Sequence, residues 1–161
     1  MNPQLVLRQE DHRRIVAVAQ RLVRDAHAKA VFLVEKDGQL VADAGELDGI
    51  DTTSLASLVA GNIAASGALA KIIGEDEFPV HFHQGKRDNV HITIVAERII
   101  MTVIFDDRSS LGLVRLRVKK AGVQLAQVFE EIFKKAELED NVQDSLFADI
   151  TDEDIDNLFS D

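Results

Sequence analysis

The sequence predicts an α/β fold of the α+β type, in which helices cover the faces of one five-stranded antiparallel sheet. Two observations predict this fold. The strand-like segments are separated by short polar turns, as in hairpins, and three segments with helical spacing of apolar residues stand before, between and after the strands. The predicted order along the chain is helix, two strands, helix, three strands and helix, and these elements form a sandwich. A length of 161 residues suits one such domain followed by a tail.

The first half of the chain supplies a helix and a hairpin. Apolar residues recur at helical spacing over 9–27 and predict an amphipathic helix. The continuous apolar run over 30–34 is typical of a central strand that is covered on both faces. A polar turn containing Gly38 then leads into a second strand over 40–42.

The second half supplies a long helix, a three-stranded meander and a last helix. Capping side chains at 51–54 predict the start of the long helix, and Gly74 predicts its end. Strands are predicted over 80–83, 90–95 and 98–105. Apolar residues at helical spacing then predict a final helix that ends near Ala136.

The charges are distributed unevenly along the chain. All 18 Lys and Arg lie within residues 1–136, together with 18 of the 28 Asp and Glu, so this part is neutral. The other acids lie in 137–161 and account for the formal net charge of −10. We therefore expect 137–149 to be a flexible, disordered acidic linker. Because an acidic tail repels nucleic acid and anionic lipid, we expect neither nucleic acid nor membrane as a partner.

Several features point to a cytoplasmic protein without a catalytic centre. The chain has no Cys, which fits a reducing compartment. Its first thirty residues carry charges throughout, so we expect no signal peptide. We also expect no membrane span, because we expect no apolar run close to the roughly 18 residues that a span needs. Neither a phosphate-binding loop, a nucleophile elbow nor a zinc-protease helix motif is present. We therefore expect neither enzymatic activity nor a cofactor.

Two groups of residues allow alternative interpretations. His81, His83 and His91 fall on neighbouring predicted strands, where they are either metal ligands or solvated side chains. Since no carboxylate stands at an obvious ligand spacing, we expect no metal site. The basic run over 115–120 is either a solvated or partner-binding face of the last helix or the source of an arginine finger, and its role stays open.

Small side chains dominate the helix over 51–74. Ala56, Ala60, Ala64 and Ala68 are spaced by four and form one stripe, while the larger apolar residues are expected to pack on the sheet. A stripe of small residues suits either tight packing on the chain's own sheet or the close approach of a second helix or a partner. We favour the contact with a partner, because mid-helix glycines cost about 1 kcal/mol each and a stripe without bulk buries little area against a sheet.

Several segments of the sequence resemble a known family. The similar segments are 31–34, 50–58, 60–62, 74–79, 104–117 and 154–159. They resemble the MglB-type proteins of the Roadblock/dynein light chain superfamily, and the resemblance covers nearly the whole chain. It implies a Roadblock-like domain over 1–136 that forms a homodimer with one five-stranded sheet in each subunit.

The resemblance also implies a function. MglB-type proteins are GTPase-activating proteins for a Ras-like small GTPase of the MglA type, which controls polarity and gliding motility in bacteria. One GTPase is expected per dimer, bound through the paired second helices, whose contact realigns the GTPase's own switch loops, arginine and glutamine. On this chain the GTPase-binding residues would be Ala56, Ala60, Gly61, Asn62, Ala64, Ala68 and Lys71. The alternative is a scaffold of the same fold that recruits a GTPase or polarity proteins without stimulating hydrolysis. We also expect the protein at a cell pole, with further polarity proteins as partners.

The end of the chain predicts a second contact. Residues 150–161 form a short acidic amphipathic helix, with Thr151 as its cap and Ile155, Leu158 and Phe159 on one face. A helix this short is marginal in isolation, so it needs a surface to fold against. It either folds back on its own domain or, as the resemblance suggests, contacts the GTPase and aids nucleotide exchange.

Overall fold

The computed structural model of the chain describes residues 5–148, 150 and 152–159, with only the backbone of Asp152. Its helices are α1 (Gln9–Asp25), α2 (Thr52–Ile72), α3 (Leu111–Ala148) and α4 (Asp152–Phe159). Its strands are β1 (Ala30–Glu35), β2 (Leu40–Gly45), β3 (Val80–Gln84), β4 (Asn89–Val95) and β5 (Ile99–Phe105). The five strands form one antiparallel sheet in the order β2-β1-β5-β4-β3, so the predicted fold class is confirmed.

The sheet separates two layers of helices. Val31 and Leu33 of β1 belong to the core beneath α1 and α3, whereas Phe32 and Val34 belong to the core beneath α2. Because successive strand residues point to opposite faces, a strand covered on both sides must be apolar throughout. This explains the uninterrupted apolar run at the start of β1, and it places α2 on the opposite side of the sheet from α1 and α3.

The close approach of two backbone segments at the end of β2 requires a glycine. Gly45 has a φ of +98°, and a Cβ there would lie 2.4 Å from the carbonyl oxygen of Lys29. We expect Gly45→Ala to lower the free energy of unfolding by about 2 kcal/mol, because the substitution combines positive-φ strain with a backbone clash. Urea denaturation of the two proteins measures the difference.

A matched control separates the two causes. Gly49 also has a positive φ, of +77°, but a Cβ there would meet no atom within 4 Å. Gly49→Ala should therefore cost about 1 kcal/mol, from backbone strain alone. Equal losses for the two variants would contradict the predicted clash at Gly45.

The structure corrects the expected disordered linker over 137–149. Helix α3 does not end near Ala136 but continues to Ala148, while Asp149 lies outside the described residues. The segment contains neither Gly nor Pro, the two residues that disfavour a helix interior most strongly, so no strong stop signal interrupts the helix. Its side chains are exposed, including Leu138, Val142 and Leu146, which follow one another at a spacing of four.

Helix α2 also corrects the expectation about membrane spans. By length and composition alone, Thr52–Ile72 is apolar enough to cross a bilayer. One side of the helix nevertheless packs on the sheet through Val59 and Ile63. Since that side is part of the domain core, the apolar composition of the other side needs a separate explanation.

Candidate protein-binding surface on the second helix

Helix α2 is held in place by its N-terminal cap. The side chain of Asp51 accepts a hydrogen bond of 3.1 Å from the backbone N–H of Ser54 and one of 2.7 Å from its hydroxyl. These hydrogen bonds hold the pKa of Asp51 below its usual value. At the other end, Lys71 lies in the last turn, where a cation suits the helix dipole. No residue over 53–70 carries a charged side chain.

The outward side of α2 is apolar and exposed to solvent. Leu58 is 73% exposed and Ile72 is 82% exposed, at opposite ends of the helix. The outward residues, which we call the α2 platform, are Leu58, Gly61, Ala65, Ala68, Leu69 and Ile72. The centre of the platform has little relief, because Gly61, Ala65 and Ala68 carry no more than a methyl group. A contiguous apolar surface of this kind is typical of a protein interaction site.

The structure divides the predicted stripe of small residues. Ala56 and Ala60 are buried against the sheet, while Ala64 and Ala68 are exposed. The reason is the helical repeat of 3.6 residues, by which residues spaced by four drift about 40° at each step. The stripe therefore begins on the inner side of α2 and ends on the outer side, and Ala56 and Ala60 cannot contact a partner directly.

The other residues of α2 that were predicted to bind the GTPase differ in their exposure to solvent. Gly61 and Lys71 are exposed, whereas Asn62 is half-buried and its Oδ1 has no hydrogen-bond donor among the described residues. The sequence pattern predicted that the large residues Leu58 and Ile72 pack on the sheet, but both are exposed on the α2 platform. Alternating spacings of three and four, read from Leu58 through Gly61 to Ile72, would have identified them.

Strand β3 forms one edge of the sheet. β3 pairs with β4 on one side only. Val80 and Phe82 of β3 are partly exposed, and the ring of Phe82 stacks on Phe105 at 6.1 Å between centroids. The open edge of β3 offers hydrogen bonds to a second chain, and Val80 and Phe82, on the α3 side of the sheet, offer apolar contacts.

The histidines do not assemble into a metal site. His81 and His83 are paired with Ile92 and Val90, whereas His91 is paired with Phe82 and faces the opposite side of the sheet. The Nε2 of His81 lies 2.9 Å from the carbonyl oxygen of Phe78. Within the described part of the chain, no three His, Asp or Glu side chains are grouped closely enough to hold a metal ion.

The basic run on α3 is split between two sides of that helix. Arg115 and Lys119 border a groove over β4, whereas Arg117 and Lys120 lie toward α1. Both pairs lie on the α3 side of the sheet, opposite the α2 platform. A partner seated on the α2 platform is therefore separated from these arginines by the sheet.

The comparisons with known proteins agree with this architecture. The sequence profile of the Roadblock/LC7 domain matches residues 14–105. A comparison with curated proteins gave no significant match. MglB from Myxococcus xanthus is 57% identical in sequence, with a TM-score of 0.76 over 80% of this chain and 96% of that chain.

Two further solved structures are similar over most of the chain. The gliding protein MglB from Thermus thermophilus is 34% identical, with a TM-score of 0.75 over 81% of this chain and 99% of that one. An MglB structure described as having a tetrameric arrangement is also 34% identical, with a TM-score of 0.75 over 82% of this chain and 99% of that one. The fold, the matched domain and these identities together show that the chain belongs to the Roadblock/LC7 domain family.

Proposed function

We propose that the chain is a GTPase-activating regulator of an MglA-type, Ras-like small GTPase in bacterial polarity and gliding motility. The observation that carries the proposal is the α2 platform, an exposed apolar surface without charge at the place where the sequence resemblance puts the GTPase contact. The similarity to MglB proteins, one of which is described as a gliding protein, supports the same role.

The working unit of this proposal is a homodimer that binds one GTPase. The free edge of β3 can pair with the same edge of a second copy, which extends the sheet across the twofold axis. The α2 helices of the two copies would then lie side by side and present their outward residues as one surface. The tetrameric arrangement of an MglB relative is consistent with self-association of this fold.

The regulator acts by contact and supplies no catalytic side chain or cofactor. Lys71 is the only charged residue of α2, so the α2 platform offers no arginine to the nucleotide. Burial of a leucine or isoleucine such as Leu58 or Ile72 contributes about 1.5–3 kcal/mol to binding. This energy holds the GTPase's switch loops, arginine and glutamine in the geometry that favours attack on the γ-phosphate.

Helix α4 provides a second contact with the same GTPase. Leu158 and Phe159 are 80% and 86% exposed, so the apolar side of this acidic helix is available to a partner. The predicted cap at Thr151 lies outside the described residues. A tethered second contact raises the local concentration of a weak site. We place this contact on the GTPase surface away from the nucleotide, where it aids nucleotide exchange. We also propose that the protein is cytoplasmic and concentrated at a cell pole.

A single mixing experiment tests the proposed function. The purified chain is mixed with an MglA-type GTPase loaded with GTP, and the mass of the complex and single-turnover hydrolysis are both measured. We expect a complex of two copies with one GTPase and hydrolysis faster than that of the GTPase alone. Binding without acceleration would support the scaffold alternative, and the absence of binding would reject both functions.

Truncation after Asp149, which removes residues 150–161, tests the tail contact. We expect GTPase affinity to fall about 10-fold, because the apolar side chains of α4 contribute a few kcal/mol that ordering of the tail partly offsets. The mass of the dimer should not change. In the full chain, Leu158→Ala with Phe159→Ala should reproduce the loss, whereas Asn157→Ala, on the opposite side of α4, should not. Unchanged affinity and exchange rate in the truncated chain would contradict the contact.

A further inference from the structure

An apolar groove lies on the side of the sheet opposite the α2 platform. It runs between α3 and the strands β3 and β4, and its volume is about 490 Å³. Val80 and Val95 lie on its sheet side, and Val118, Val123 and Ala126 form its wall on α3. Its size falls within the range of protein pockets that hold ligands or anchoring side chains.

Two polar side chains in this groove have no partner. His91 is only 2% exposed, yet neither ring nitrogen has a hydrogen-bond partner among the described residues, and the hydroxyl of Thr93 has none either. Burial and the nearby Arg115 lower the pKa of His91, which favours the neutral ring with one donor and one acceptor. Because buried polar groups are normally paired, this arrangement points to an occupant that brings hydrogen-bonding groups.

The rim of the groove is basic. Arg115 and Lys119 are exposed one helical turn apart, and neither forms an ion pair with the described part of the chain. Among the described residues, no acidic side chain lines the groove. An occupant that matches it therefore combines apolar side chains with carboxylates.

The wall of the groove is opened by a glycine. Gly122 lies in the middle of α3, where glycine costs about 1 kcal/mol relative to alanine. A Cβ at this position would meet no atom within 4 Å, so the space beside it is free. The missing side chain leaves room for a second helix against α3.

We propose that this groove binds helix α4 of a second copy of the chain. Ile155, Leu158 and Phe159 supply apolar anchors at i, i+3 and i+4, the pattern by which a helix lies in a groove. At about 100° per residue, Asp154 and Asp156 flank these anchors on either side, where one of them faces the basic rim. The same chain thus carries both the groove and a helix that complements its shape and charge.

The helix that occupies the groove must come from another copy, because the chain's own α4 cannot reach its own groove. At about 1.5 Å of rise per residue, the part of α3 between Ala126, at the near end of the groove, and Ala148 is about 33 Å long. Even a fully extended chain from Ala148 to Ile155 spans only about 25 Å. With α3 and α4 intact, binding within one chain is therefore excluded.

Binding in the groove gives α4 a resting place that is independent of any GTPase. A GTPase that binds the apolar side of α4 would have to release it from the groove, since the same three side chains serve both contacts. The contact between copies also links dimers into larger assemblies, because the helix and the groove are different surfaces of the chain.

The chain's lack of Cys allows a direct test with the full-length protein. One preparation carries Asn157→Cys with a nitroxide spin label, at a position outside the anchor face. It is mixed with isotopically labelled protein that carries no spin label. We expect the label to broaden the NMR signals of backbone amides over 115–126 in the second preparation.

A filling substitution provides the matched comparison. Gly122→Met in the isotopically labelled copy places a side chain in the groove, and we expect at least 10-fold weaker association, seen as loss of the broadening. Gly112→Met adds the same side chain to α3 outside the groove, also in open space, and should leave the broadening unchanged.

Each other outcome overturns the inference. It is wrong if the amides over 115–126 are not broadened, if the broadening persists with Gly122→Met, or if the α2 platform is broadened instead. Should Gly122→Met fail to fold by circular dichroism, Leu158→Ala with Phe159→Ala in the spin-labelled copy must abolish the broadening. Since no GTPase is present, this result does not depend on the function proposed above.

Discussion

Arginine at both Ala64 and Ala68 is expected to abolish the stimulation of GTP hydrolysis, with a loss of at least about 100-fold at a fixed concentration of the chain. Ala68 belongs to the α2 platform, and Ala64 is exposed on its flank. Two long side chains would project from a flat surface and overlap sterically with a partner that approaches it closely. They would also bring two cations that α2 cannot pair, because the helix contains no acidic residue. Single-turnover hydrolysis, measured with the GTPase loaded with GTP, reports the loss.

The matched control adds the same charges on the other side of the sheet. Ala17 and Gln20 are exposed on α1, so Ala17→Arg with Gln20→Arg should leave hydrolysis unchanged. Circular dichroism and mass measurement show whether each variant folds and dimerises. Retained stimulation in the α2 variant would contradict a GTPase contact on the platform. A folded but monomeric α2 variant would assign Ala64 and Ala68 to the contact between subunits.

The fold was largely predictable because its signals are local. The apolar run of β1 specifies a strand buried on both faces, and the short polar turns specify hairpins whose partners follow in sequence. The extension of α3 was not predicted, because the acidic composition of 137–149 suggested disorder. Composition measures how little a segment can bury, whereas continuation of a helix depends on propensity and on the absence of a stop signal.

The candidate sites were harder to predict because they depend on which side each element presents. The sequence identified α2 as the contact helix, but a spacing of four does not stay on one side of a helix with 3.6 residues per turn. Ala56 was therefore assigned to the wrong side and Leu58 was missed. The groove combines His91 of β4 with Gly122 of α3, which are brought together only by the packing of α3 across the sheet. No local pattern in the sequence reports that packing.

The ion pair between Glu35 and Arg98 is expected to be the most sensitive polar contact of the fold. Glu35, at the end of β1, is only 5% exposed. Its Oε1 accepts hydrogen bonds from Arg98 of 2.5 Å from Nη2 and 3.2 Å from Nε, and the guanidinium lies 4.5 Å from the ring centroid of Phe133 on α3. Arg98→Ala should lower the free energy of unfolding by about 3–5 kcal/mol, because it leaves a buried carboxylate without its cation. Urea denaturation at neutral pH measures the loss.

The cause assigned to this loss can be separated from the loss of packing on Phe133. Adding Glu35→Gln to Arg98→Ala removes the buried charge, so the double variant should be more stable than Arg98→Ala alone. Arg108→Ala, which removes a guanidinium from the exposed carboxylate of Glu46 and the half-buried carboxylate of Asp106, should have a far smaller effect. If Arg108→Ala were as damaging as Arg98→Ala, burial of Glu35 could not be the reason for the loss.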